Sequence, residues 1–208
     1  MTNDFRMSYF MPPIAPIKDE HGQLVTPPTL IPCCEVSVEQ VFQMITCNEN
    51  LKVLTEQVRN SEDIRTAKAS LLPYVTPCGT FSRRSSKCLI DPSLLTVVDI
   101  DYLTSYQEAV EMRKTLFNDP LLHPVLTFIS PSGRGVKAFI PAGMPHPTDE
   151  VRNITESTDK AMQYVEMAYG PETDNSATAT AKGVDGSGKD LVRACFLSHD
   201  PEALFRTI

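Results

Sequence analysis

The chain has 208 residues, 41% of them hydrophobic and 22% charged, with a net charge of -7 and a pI near 5.1. Such a length and balance describe one ordinary soluble core, with or without an appended segment, and exclude a disordered or fibrous chain. The acidic balance excludes a protein that coats nucleic acid through bulk positive charge, so any nucleic-acid contact must be local.

Residues 1–36 carry Pro12, Pro13, Pro16, Pro27, Pro28 and Pro32 and the turn-like pair His21-Gly22, which predicts an extended arm or short hairpin at an edge. Asp4, Arg6 and the prolines after Met11 leave no apolar core for a signal peptide, and no run approaches the ~18 apolar residues of a membrane span. At Ser37 the pattern changes. Ser37-x-x-Gln40 reads as a capping box, and Val38, Val41, Phe42 and Ile45 recur at helical spacing, which predicts a helix over 38–48. Helices over 51–58 and 63–72 follow, the second stopped by Pro73. Residues 37–73 thus form a small helical front section to a core spanning 74–208.

In that core, 74–83 and 94–101 carry the β-branched and aromatic residues of strands. Ser105-x-x-Glu108 opens a helix whose stripe runs through Tyr106, Ala109, Val110, Arg113, Leu116 and Phe117. A strand at 125–130 completes a βαβ pattern, which predicts parallel pairing of 94–101 with 125–130. A turn at 131–135 returns into a strand at 136–141, a helix spans 150–169, and a polar loop at 171–189 precedes a last strand at 191–197. This order suits an α+β fold, a mixed sheet with helices mainly on one face, of the RRM or polymerase-palm kind.

The six cysteines, at 33, 34, 47, 78, 88 and 195, show no CxxC spacing and read as reduced thiols, in keeping with a cytoplasmic location. Local basic patches occur at Arg83, Arg84 and Lys87, at Arg134 and Lys137, and at Lys182, Lys189 and Arg193.

Asp99-Ile100-Asp101 closes the apolar stretch 94–98. Strand side chains alternate, so both carboxylates point to one side and Ile100 to the other. Two like charges about 7 Å apart repel unless something positive lies between them, and magnesium or manganese prefers such oxygen ligands. The same residues at an open strand end would simply face solvent. The run Ser130-Pro131-Ser132-Gly133-Arg134-Gly135-Val136-Lys137 offers small residues through which backbone N–H groups approach an anion, with Arg134 and Lys137 supplying charge. Alternation puts Lys137 and Phe139 on one face, with Lys137 reaching toward the aspartates. Asp190 stands at the entry to the last strand and is the preferred third acidic ligand over Asp185 and Asp200. Arg193 is a phosphate-binding candidate, provided that a bulge or turn at Asp190 brings both to one side.

These elements in this order resemble the archaeo-eukaryotic primase (primase-polymerase) superfamily and, more closely, the VirE amino-terminal domain family of bacterial mobile elements. The resemblance is carried by LPYVTPCGTFSRRS (72–85), TVVDIDYL (96–103), FISPSGRGVKAFI (128–140) and KDLVRACFLSHDP (189–201). It implies an RRM-like catalytic core for nucleotidyl transfer in DNA replication or priming, with Mg2+ or Mn2+ on Asp99, Asp101 and Asp190. It implies nucleotide contacts from Ser132, Gly133, Gly135 and Arg193, beside Arg134 and Lys137. Where many primase-polymerases place a histidine in the second motif, this sequence has Lys137; His123, His146 and His199 read as surface or structural residues. The implied partners are a single-stranded DNA template, nucleoside triphosphates and a helicase-type ATPase, and no GxxxxGK[ST] loop of such an ATPase occurs here. The competing readings are a catalytically degenerate module that binds single strands by charge and stacking, and a helicase-associated interaction domain.

Overall fold

The structure, a computed structural model, describes residues 5–170, 183–184 and 190–207. The proline-rich beginning is not an edge feature. Its first strand, β1 (Arg6–Phe10), lies inside a four-stranded sheet, and Met7 and Phe10 are fully buried. The prolines fall after β1, where β2 (Ile17–Lys18) and β3 (Leu24–Thr26) make the expected hairpin. β4 (Cys34–Ser37) then pairs with β1.

Ser37 ends β4 and caps α1 (Val38–Cys47). Its hydroxyl accepts from the Gln40 amide while the Gln40 side chain accepts from the Ser37 amide, the reciprocal box the sequence predicts. Asn48 caps α2 (Glu49–Arg59) and Asp63 caps α3 (Ile64–Leu71), which stops before Pro73. The strand expected over 74–83 divides at Pro77-Cys78 into β5 (Tyr74–Thr76) and β6 (Gly79–Phe81); β6 pairs with β7 (Leu89–Pro92).

The core continues with β8 (Leu95–Asp101), α4 (Tyr106–Phe117), β9 (Leu126–Ile129), β10 (Val136–Pro141), α5 (Glu150–Tyr169) and β11 (Gly183–Val184), then β12 (Cys195–Phe196) and β13 (Leu204–Phe205). At α4 only half of the predicted box forms. Ser105 accepts from the Glu108 amide, but the Glu108 carboxylate turns to the amide and hydroxyl of Thr104.

The central sheet has the order β11-β8-β10-β9-β13 and the other large sheet β12-β5-β1-β4. Every pairing among the described residues is antiparallel. The mixed sheet is therefore corrected: β8 and β9 do run parallel to each other, but β10 lies between them. The physical reason is in β10 itself. Val136 to Ile140 are buried on both faces, so this strand belongs inside a sheet rather than at its rim.

The helices are not confined mainly to one face, because the central sheet is apolar on both. Val98, Ile100, Ile129, Val136, Ala138 and Ile140 cluster with residues of α4 and α5. Leu95, Val97, Leu126, Phe128 and Phe139 share the other cluster with Val41 and Ile45 of α1, Leu51 and Val58 of α2, and Met7 and Val75 of the first sheet. Each such buried side chain contributes roughly 1.5–3 kcal/mol. The strand expected over 191–197 shrinks to β12, in the first sheet against β5, because the chain turns at 190–193 and then crosses between the two sheets. Among the described residues no helix is long and apolar enough to cross a membrane.

Candidate functional site

Antiparallel register sets Lys137 of β10 directly opposite Asp99 of β8. Alternation sends both side chains to one face, as the sequence predicts, here the face shared with the first sheet, while Val136 and Ile100 turn toward α4 and α5. Lys137 Nζ donates to both Asp99 oxygens, at 2.6 and 2.5 Å, and Arg193 Nη2 donates to Asp99 Oδ2 at 2.9 Å. Burial works against the Lys137 charge, but the pull of Asp99 outweighs it and holds the ammonium above the usual lysine value. Cys195 lies under the cluster, where burial pushes its thiol up to about 12.

A polar cavity of about 180 Å3 opens over this cluster. Its lining includes Asp99, Asp101, Ser132, Lys137 and Arg193, five residues that the sequence singled out. Lys68 of α3, Ser130 and Phe196 of β12 complete its polar and aromatic wall, and Lys68 Nζ lies 5.7 Å from the Phe196 ring centroid. The lining thus sets three cations against two carboxylates, which suits an anionic ligand once Asp99 is neutralised. A larger groove of about 370 Å3 between β10, α5 and Leu121-Leu122 is mainly apolar, with one lysine, Lys160, and no opposed charges. The smaller cavity is the chemical one.

The turn between β9 and β10 differs in detail from a cradle of free amides. The Gly133 amide donates to Ser130 O at 2.9 Å and the Arg134 amide to Ser132 Oγ at 3.2 Å, so these two are engaged within the turn. The groups it turns to the cavity come from Ser130 and Ser132, whose hydroxyls lie 3.1 Å apart. Gly133 has φ +72°, the left-handed region that glycine permits. At Gly135 a Cβ would meet Ile100 O at 2.6 Å and Asp101 Oδ1 and Ser130 Oγ at 2.9 Å, so only glycine lets the turn approach the aspartate so closely. Arg134 does not line the cavity. It is exposed, with Nε donating to Leu103 O.

Asp190 does not meet Asp99 and Asp101 in the cavity lining. A turn does form, with the Arg193 amide donating to Asp190 O, and it delivers Arg193 to the cavity. Asp190 itself is exposed, accepts from the Val192 amide at 3.2 Å, and does not line the cavity. Asp200 lies outside that lining too: it is buried, pairs with Arg113 at 2.5 Å and accepts from the Ile129 amide. Asp185, Lys182 and Lys189 lie outside the described residues. No three acidic, histidine or cysteine side chains among the described residues come close enough together to hold a metal ion. Two carboxylates are nevertheless enough for magnesium, which usually keeps waters and completes its shell with substrate phosphates. Asp99 and Asp101 are the two carboxylates of the cavity lining, with both Asp99 oxygens engaged by Lys137 and Arg193.

Of the other basic patches, Arg84 sits over Tyr74 and donates to Ile14 O, a structural role. Sequence reasoning missed Lys68, which lies outside every motif and carries no signal of its own; Phe196 falls within the 189–201 stretch, but nothing there marks its ring as a cavity wall.

Residues 66–205, about two thirds of the chain, match the family described as BT4734-like, N-terminal domain, and the chain belongs to that family. No curated protein and no solved structure gives a significant match to it.

Proposed function

We propose that this member of the BT4734-like N-terminal domain family catalyses metal-assisted nucleotidyl transfer of the primase-polymerase type, with a nucleoside triphosphate held over Asp99 and Asp101. The observation that carries the reading is the convergence of Asp99, Asp101, Ser132, Lys137 and Arg193 on one small polar cavity from three separate stretches of chain. The order β8-α4-β9-β10-α5-β11, with β10 set between β8 and β9, supports an RRM-like core, since it is the βαββαβ arrangement with a split βαβ unit.

In this reading Lys137 and Arg193 fix the Asp99 carboxylate and share their charge with the phosphates. Lys68 adds a third cation from the front section, and the Ser132 hydroxyl donates to a phosphate oxygen. Gly135 keeps the turn against Asp101, so that the phosphates and both carboxylates meet in one place. Magnesium or manganese held by Asp99 and Asp101 would supply charge neutralisation at the α-phosphate and a lowered pKa for the attacking hydroxyl. Lys137, set where many primase-polymerases have histidine, acts as a charge clamp on Asp99 rather than as a base, because its proton is held by the pair.

One observation favours a binding-only alternative: both Asp99 oxygens are already engaged by cations. Its stacking version cannot use Phe81, Phe128 or Phe139, which are buried. The two readings separate in a template assay. Labelled nucleotides are supplied on a single strand with magnesium or manganese, to the wild-type chain and to Asp101→Asn. Metal-dependent product that disappears in the variant is expected; a folded wild-type chain that makes none with either metal sinks the transferase reading.

A further inference from the structure

The chain leaves β8 in an uncommon conformation. Tyr102, directly after Asp101, has φ +62°, a left-handed backbone that aromatic residues rarely adopt. Two hydrogen bonds hold the following residue: the Leu103 amide donates to Arg134 O, and Arg134 Nε donates to Leu103 O, both at 2.9 Å. The result is a tyrosine 64% exposed beside a residue of the cavity. Tyr106, first residue of α4, is 47% exposed and lies against the same turn, where a Cβ on Gly133 would be 3.4 Å from its ring. Arg59 of α2 braces that ring, with its guanidinium 5.5 Å from the centroid and Nε donating to Pro131 O.

We propose that Tyr102 and Tyr106, with Arg134 between their loop and the turn, form a landing surface for unpaired single-stranded nucleic acid beside the cavity. Tyr102 and Tyr106 stack bases, Arg134 meets the strand's phosphates, and Arg59 positions Tyr106. The chemistry selects this partner. Each nucleobase presents a π-face, so exposed rings interleaved with guanidinium groups hold a strand without reading its sequence. In a chain of net charge -7 any such contact must be local, and here its exposed cation is Arg134. A strand on it runs next to Asp101, where a template or primer end is needed. This choice of partner rests on the transferase reading, and the test separates the two.

The experiment measures anisotropy of a fluorescein-labelled thymidine oligonucleotide of about 16 nucleotides, without metal or triphosphate, with an oligouridine arm to compare DNA with RNA. Tyr102→Asn removes the ring but tolerates the left-handed backbone, and is expected to weaken binding about tenfold or more. Tyr102→Phe is expected to bind like wild type, and Arg134→Gln to lower the salt slope by about one. Tyr106→Ala, at an ordinary helical position, gives a second reading should Tyr102→Asn fail to fold. Asp101→Asn is expected to keep strand binding even as it loses incorporation. Strand binding lost on removal of Tyr102, in a chain that incorporates nothing, leaves this surface standing and the transferase reading fallen. Wild-type affinity in folded Tyr102→Asn and Tyr106→Ala, or no strand binding by the wild-type chain at low salt, overturns the proposal.

Discussion

Lys137 and Asp99 face each other across neighbouring antiparallel strands, both buried, with the ammonium 2.5 Å from one carboxylate oxygen and 2.6 Å from the other. Opposition at one register position is the closest approach two strands offer, and it fixes the pair without help from loops.

Removing one member of a buried pair strands the other's charge, at a cost of about 3–5 kcal/mol. Arg193 stays on Asp99, so Lys137→Met is expected near the low end, about 3 kcal/mol, in urea unfolding at neutral pH. The double variant Asp99→Asn with Lys137→Met should recover part of that loss.

The same pair predicts a pH dependence. The folded Lys137 value is raised, so its contribution is complete below 10.5, the ordinary lysine value, and is lost as pH climbs through the higher folded value. The stability gap between wild type and Lys137→Met should hold steady from neutral pH to about 10 and shrink above it.

A second buried pair makes a control away from the cavity. Arg113 is 1% exposed and bonds both Asp200, equally buried, and Glu202, 71% exposed. Arg113→Leu is expected to cost about 3–5 kcal/mol, because it leaves Asp200 charged in the interior. Glu202→Gln should cost no more than about 1 kcal/mol, the usual worth of a solvent-facing partner.

The two turn glycines should respond differently. Gly133→Ala has ordinary contacts but a left-handed backbone, a penalty of about 1 kcal/mol. Gly135→Ala drives a methyl into Ile100 O and Asp101 Oδ1, and should weaken nucleotide-dependent thermal stabilisation as well as the fold. Wild-type nucleotide response in Gly135→Ala would falsify the close packing of turn against aspartate.

Thiol chemistry gives a last check. Burial pushes Cys78 and Cys195 up to about 12, whereas Cys33, Cys34 and Cys47 are exposed. Ellman's reagent at pH 8 is expected to titrate those three quickly, half-buried Cys88 more slowly, and Cys78 and Cys195 only after denaturation.

What could be read from the sequence follows the range of the forces involved. The cap at Ser37, the stop at Pro73 and the alternation that points Asp99, Asp101 and Lys137 to one face are local, and the structure has them. The place of β10 between β8 and β9 is a matter of which strand must hide both faces, which no short window displays. Asp190 and Asp200 looked alike as acidic residues beside an apolar run. Only Arg113, 87 positions from Asp200, distinguishes them, by claiming one for the interior. Lys68 meets Phe196 only because β12 pairs with β5 and carries that ring back toward α3, a consequence of topology that no local pattern shows.

The family match begins at residue 66, but the sheet it enters does not. β5 is hydrogen-bonded to β1 through Ser8, Tyr9 and Phe10, and Phe10 lies stacked on Tyr74 with ring centroids 4.9 Å apart. A piece cut to 66–205 would leave β5 with a bare edge and an aromatic ring without its neighbour, a surface that invites a second copy to fill it. The stretch that recurs as sequence is shorter than the sheet it enters, and an expression experiment designed on the first is expected to yield a chain prone to self-association.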